Sequence, residues 1–187
     1  AYRRSFIRTQ LERFIFRNFD DGAHLLHAGC GSGQVDVVLN GRMKITAIDT
    51  SVSALRVYRA NNPGAFDVKR ADILQLPFPA SSFDGAYNLG VLEHFTPQEI
   101  HRVLRQLNRI LRPGGKVVVF WPHARATSVA VLKTAHWMLN DVARKKTRLH
   151  PPELSLLRSR RWVEQFFRDA GFRMTSYQFG PRDFFVQ

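Results

Sequence analysis

Five short apolar runs alternate with stretches of helical periodicity, and this alternation constrains the fold more than anything else in the sequence. HLLHA (24–28), KITAI (44–48), AFDVK (65–69), FDGAYNL (83–89) and KVVVFW (116–121) read as strands, rich in Val, Ile and Phe and bracketed by turn residues. Between them, Gln34–Leu39, Val52–Asn61 and Pro97–Leu111 space their apolar residues as helices do. The last sets Ile100, Val103, Leu104, Leu107, Ile110 and Leu111 on one face and stops at Pro113-Gly114-Gly115. Strands alternating with helices predict a largely parallel sheet covered by helices on both faces. Arg161–Ala170 reads as another helix, ended by Gly171, with FRMTSYQF and DFFVQ as two closing strands. Two parts stand outside the alternation. Phe6–Phe19 is an amphipathic helix ahead of the first strand, and 122–157 is too long for a simple connection and holds a helical stretch near Thr127–Ala143.

With 187 residues, 44% of them hydrophobic and 23% charged, the chain suits one domain with a sizeable core. No apolar run approaches the roughly 18 residues of a membrane span. The opening AYRRSFIRTQ has no signal-peptide apolar core, so a cytoplasmic protein is expected. Cys30 is the single cysteine, which excludes an internal disulfide and fits a reducing compartment. Charge is the unusual quantity. Residues 1–19 contribute +4 and residues 125–161 contribute +7 of a net +13, so an anionic partner is expected near those segments, against the simpler reading of solvated helix faces.

The first strand runs straight into Gly29-Cys30-Gly31-Ser32-Gly33. In an open parallel sheet, ligands collect beyond the carboxyl ends of the strands, and glycines there let backbone and ligand come close. A nucleoside triphosphate would call for GxxxxGK[ST], and the loop has no lysine. A dinucleotide would call for GxGxxG, but Gln34 stands where the last glycine should be. An adenosyl group carried on an amino acid remains. Asp49, ending the second strand, is placed to accept hydrogen bonds from ribose hydroxyls, although the same residue would also serve as a helix cap.

RADILQLPFPASSFDGAYNLGVLEHF extends the pattern, with Asp72-Ile73, Phe83-Asp84, Asn88-Leu89 and Glu93-His94 following the glycine loop and Asp49 in order. This resembles the class I S-adenosylmethionine (SAM)-dependent methyltransferases, in particular the type 11 small-molecule group, over residues 22–121 and 158–187. LRPGGKVVVFWP resembles the turn and fifth strand of that family, and VEQFFRDAGF its penultimate helix. The resemblance implies a Rossmann-like, seven-stranded, mostly parallel sheet with an antiparallel last strand, forming a single domain over 1–187. Residues 1–20 and 122–157 would then cover the acceptor site. It also implies roles. Gly29, Gly31 and Gly33 would pass beneath the methionine portion of the cofactor, Asp49 with Thr50 would bind the ribose, Asp72 and Ile73 would hold adenine, and Asn88 and Leu89 would face the methionine end through main-chain oxygens. SAM would be converted to S-adenosylhomocysteine (SAH).

Two departures from the family are visible. The family carries Asp or Glu at the position of His27, anchoring the cofactor's amino group; histidine lacks that charge, though a neutral imidazole nitrogen accepts one hydrogen bond. Asp36 is the candidate to supply the carboxylate, and it equally suits a helix N-terminus. Some relatives bind a divalent ion through Glu-x-x-Glu-His. Here Gly90 replaces the first glutamate, and no metal is expected.

For the acceptor, His94 and His123 are the candidate bases, needed only if the acceptor must lose a proton. HARATSVAVLKTAHWMLNDVARKK mixes apolar and basic residues, which suits a small amphiphilic acid, a lipid- or sugar-linked anion, or peripheral contact with an anionic membrane. RNA is the rival acceptor, since a basic rim can follow a phosphate backbone, although the chain has no RNP-like motif and no Asn-Pro-Pro-Tyr-type signature. A catalytically inactive SAM-binding partner subunit is a further alternative, and a nucleotide-dependent dehydrogenase is disfavoured by the missing GxGxxG.

Overall fold

The computed structural model describes residues 2–123 and 154–178, with side chains from residue 8 onward. Five parallel strands form one sheet: β1 (His24–Ala28), β2 (Lys44–Asp49), β3 (Asp67–Arg70), β4 (Phe83–Leu89) and β5 (Leu111–Phe120), in the order β3-β2-β1-β4-β5. The chain builds outward from β1 in one direction, then returns to add β4 on its other edge. The order therefore reverses between β1 and β4, and their carboxyl ends are where an open parallel sheet places its ligand crevice.

Alternation within β1 supplies both faces of the sheet. Leu25 joins Leu11, Ile15, Leu39, Ile45 and Tyr87 on the side of α1 (Tyr2–Asn18). Leu26 and Ala28 join Ile48, Ala86 and the apolar stripes of α3 (Pro97–Ile110) and α4 (Arg160–Asp169) on the other. The helix α2 (Val52–Asn61) packs Leu55 and Tyr58 against Cys30 and Ala47. Local chemistry starts these helices where the sequence places them. The Ser51 hydroxyl accepts from the Ala54 amide at 3.2 Å, and Thr96 with Glu99 forms a capping box around Pro97. The five apolar positions of α3 from Ile100 to Ile110 are all buried.

Three expectations need correction. The sheet has five strands, all parallel, in the described residues, where seven with an antiparallel last strand were expected. Of the two expected closing strands, Phe172–Gln178 has no regular structure, and the remainder lies outside the described residues. An alternating stretch becomes a strand only when an edge accepts its hydrogen bonds; Phe172 and Met174 instead pack on the α3–α4 core. Gln34–Leu39 is a run of turns ending in a short 3-10 segment at Leu39–Gly41, not an α-helix. Within it the bonds step i to i−3, from Asp36 N–H to Gly33 O at 3.1 Å and from Leu39 N–H to Asp36 O at 2.8 Å, and a single i to i−4 bond follows from Asn40 N–H to Asp36 O at 3.1 Å. Val35, Val37 and Val38 resist helix, and the Asp36 side chain is drawn inward. The strand expected at 116–121 begins earlier, at Leu111. The register steps from Phe83↔Leu111 to Gly85↔Lys116, so the Arg112–Gly115 turn is carried as a bulge. The helical stretch at Thr127–Ala143 lies outside the described residues.

Gly85 shows how tightly Phe19, the residue after α1, sits on the sheet. A Cβ there would lie 2.2 Å from Cε1 of Phe19 and 3.0 Å from Cδ2 of Leu25. Gly85→Ala is expected to cost about 1–3 kcal/mol by overpacking, read from urea unfolding. Unchanged stability would mean that the Phe19 ring yields without loss of packing.

Candidate functional site

The loop that leaves β1 sits at the point where the strand order reverses. Gly29, Gly31 and Gly33 have φ of 76°, 52° and 65°, a region that side chains disfavour. The loop is tied to the end of β2: the Gly29 and Cys30 amides both donate to Ile48 O at 2.9 Å. Asp49 completes the tie. Its Oδ2 accepts from Gly31 N–H at 2.9 Å and its Oδ1 from Ser51 N–H at 2.8 Å, so one carboxylate joins the loop to the start of α2. From the far end of α2, Asn61 donates to Ser32 O and Asn62 to Gly33 O, each at 2.8 Å.

The three glycines serve different ends. A Cβ on Gly29 would lie 2.7 Å from Cγ2 of Val91, and one on Gly33 would lie 2.2 Å from the Tyr58 ring. Those two positions are closed by packing. A Cβ on Gly31 would meet nothing within 4 Å, so the bare backbone there faces open space.

Beneath the loop lies a polar cluster. Asp36 is fully buried and His27 is 2% exposed. His27 Nδ1 is 2.6 Å from Asp36 Oδ2, and the hydroxyls of Tyr58 and Tyr87 donate to the same carboxylate at 2.7 and 2.9 Å. The His27 ring stacks on Tyr87 with centroids 4.4 Å apart. Asp36 thus spends its oxygens on three internal donors and does not present them at the loop surface. Neither tyrosine was a sequence candidate: they lie 22 and 51 residues from Asp36, and no local pattern links them. Burial, together with the Asp36 and Asp49 carboxylates, pushes the Cys30 thiol up to about 12.

The other sequence candidates are spread along the same end of the sheet. Asp72 is exposed and its Oδ1 accepts from Leu74 N–H at 2.9 Å, an Asx turn that leads Ile73 into the core. Thr50 is exposed, and its carbonyl accepts from Arg70 Nε at 3.1 Å. Asn88 is 1% exposed, and neither atom of its side-chain amide has a hydrogen-bond partner among the described residues. His94 closes the Leu92–His94 turn and is half-buried; His123 is buried beyond β5 and bridges to Leu157. Among the described residues, no three His, Cys, Asp or Glu side chains gather as metal ligands do.

A cleft of about 1620 Å³ opens beside β5, reaching Leu89 and Gly90 at the end of β4, Trp121 and Pro122 past β5, and Arg13 and Phe14 of α1. The glycine loop does not line it.

A doubly wound parallel sheet with a glycine loop and a strand-end carboxylate at its reversal point defines a nucleoside-binding α/β domain. Within that class the chain belongs to the SAM-dependent methyltransferase domain family of type 11, whose pattern matches residues 26–119. It is 35% identical over 105 residues to 27-O-demethylrifamycin SV methyltransferase of Amycolatopsis mediterranei, covering 52% of this chain and 38% of that protein. It is 33% identical over 105 residues to an O-methyltransferase of Penicillium expansum, covering 52% of this chain and 37% of the relative. The chain therefore matches well under half the length of these relatives. The crystal structure of a SAM-dependent methyltransferase from Methanosarcina mazei superposes with a TM-score of 0.65 at 18% identity, covering 84% of this chain and 82% of that one, which establishes the shared fold.

The unequal room around the glycines makes their substitutions unequal. Gly31→Ala is expected to cost about 1–2 kcal/mol of stability, from backbone conformation alone. Gly33→Ala adds a collision with Tyr58 and is expected to unfold at clearly lower denaturant; equal losses would mean that Tyr58 does not pack beneath the loop. Cys30 offers a second readout. With its thiol buried and pushed up to about 12, Cys30 is expected to react with a disulfide reagent at pH 8 far more slowly than an ordinary cysteine, until the protein is unfolded. Rapid labelling of the native protein would show an open loop.

Proposed function

We propose that this chain is a SAM-dependent methyltransferase acting on a small or a lipid- or sugar-linked anionic acceptor. The observation that carries the reading is the Gly29–Gly33 loop, with open space over Gly31 and the Gly31 amide held by Asp49. The residues present fit SAM chemically. Gly31 admits close backbone approach. The Asp49 oxygens, each with one amide donor, keep lone pairs for ribose hydroxyls, with Thr50 exposed beside them. Asp72 and Ile73 would hold adenine. Asn88 brings a buried amide with no partner among the described residues, and with Leu89 it would line the methionine end through main-chain oxygens, which suit a cationic sulfonium. His27 and Asp36 would support the amino-acid end from beneath the loop.

When bound, SAM supplies a methyl group on a sulfonium: the acceptor's lone pair bonds to the carbon, the C–S bond breaks, and its electron pair stays on sulfur. The chain's own task is then mostly orientation and exclusion of water. His94 and His123 are the side chains that would take a proton from an acceptor that carries one. The acceptor would enter by the cleft that reaches Leu89 and Gly90, where Arg13 contributes positive charge. Arg158, Arg160 and Arg161 are exposed where the basic segment returns to the described residues. The two relatives above, both named as methyltransferases and one of them for demethylrifamycin SV, support a small-molecule acceptor over RNA.

Calorimetric titration with SAM and SAH tests the cofactor. Wild type is expected to bind both, and Asp49→Asn to bind each at least about tenfold more weakly, a loss of about 1.4 kcal/mol. Circular dichroism would establish that the variant is folded. Failure of the wild type to bind either ligand would overturn the reading and favour a partner subunit without catalysis.

A further inference from the structure

The cluster beneath the glycine loop does more than fill space. Asp36 is reached from three different elements: His27 from β1, Tyr58 from α2 and Tyr87 from β4. Asp36 and Tyr58, joined by Asn62, also grip the loop at Gly33. The Asp36 amide donates to Gly33 O at 3.1 Å, the Asn62 side chain donates to that carbonyl at 2.8 Å, and the Tyr58 ring occupies the space a Gly33 side chain would need. A carboxylate is only an acceptor, so the 2.6 Å contact requires Nδ1 of His27 to carry the proton. The ring orientation is fixed further by its stacking on Tyr87.

We propose that Asp36 is a positioning residue for the glycine loop, and that the hydroxyls of Tyr58 and Tyr87 are the two anchors that hold its carboxylate in place. This rests on the loop being the SAM site. Two neutral hydroxyls and one ring N–H surround a carboxylate that water does not reach, so each donor bears on the position of the other two. Burial and the neighbouring Asp36 charge raise both tyrosines well above the usual phenol range, so both stay donors across the working pH of a protein. Displacing Asp36 would release its own amide from Gly33 O and loosen the turn at the residue after Ser32. The clamp also links the loop to β4, the strand whose far end borders the cleft.

Tyr58→Phe and Tyr87→Phe each remove one hydroxyl while keeping the ring, and Asp36→Asn keeps the shape of the hub while weakening it as an acceptor. SAH titration on fully folded protein at 25 °C is expected to show each tyrosine variant weakened by about tenfold, and Asp36→Asn by more. Two ligand-free measurements accompany it. Amide exchange at Gly33 and Asp36 is expected to quicken in all three variants, and the ring nitrogens of His27 are expected to show Nδ1 protonated in wild type and a shifted tautomer balance in Asp36→Asn. A general structural role would lower melting temperature and leave SAH affinity, loop exchange and the His27 signature unchanged; that pattern would overturn the proposal. Absence of SAH binding to wild type, with exchange and tautomer behaving as expected, would instead remove the methyltransferase reading and leave the clamp standing.

Discussion

Everything in this domain is referred to β1. Five residues long, it is paired on both edges, to β2 and to β4, with its last four residues buried. A parallel strand so placed has no spare backbone donors of its own, so the chain leaving it must turn sharply at the sheet's rim. The direction of that turn is set by bonds from Gly29 and Cys30 to Ile48, at the end of the neighbouring strand. Positive-φ glycines allow the turn, and the reversal of strand order puts it in the crevice. The site is thus a consequence of connectivity before any side chain is considered.

Side chains then divide the labour between two sides of the loop. Above, Gly31 is open and Asp49 holds its amide with a half-exposed carboxylate. Below, Asp36 is sealed from water and takes three donors. A buried carboxylate is costly unless its lone pairs are matched, and removing one donor leaves much of that cost in place. The same chemistry with opposite exposure leaves one aspartate with unused lone pairs near solvent and makes the other a fixture.

The sequence was informative where the physics is local. Ser51 and Thr96 mark their helices by capping, and the apolar spacing of α3 is that of one buried face, so both helices lie within a residue of their expected bounds. Gln34–Leu39 misled because its apolar spacing is helical while its three valines and inward-facing aspartate favour turns. The closing strands depended on an edge partner, a tertiary fact that alternation alone does not encode. Within the site, the glycines and Asp49 were legible because a loop after a strand needs those residue types. His27 and Asp36 stood out as a departure from the family pattern, but their mutual contact, and the tyrosines that complete it, arise only when β1, α2 and β4 are brought together.

Asn88 connects the two halves of the site. Register puts it opposite Val119 of β5, one step beyond the pairing of His27 with Tyr87. Its amide offers donors and an acceptor, yet no described residue takes either. An unmatched buried amide costs the folded chain about 1–3 kcal/mol, a sizeable part of the stability of a small domain. An aliphatic side chain of similar volume would remove that cost, so packing among the described residues does not account for an asparagine here. The residue lies at the carboxyl end of β4, between the glycine loop on one side and the Leu89–Gly90 edge of the cleft on the other. A polar group arriving there with a ligand would recover the lost hydrogen bonds. On the proposed reading, the free energy withheld from folding at Asn88 would become free energy of binding when the cofactor arrives.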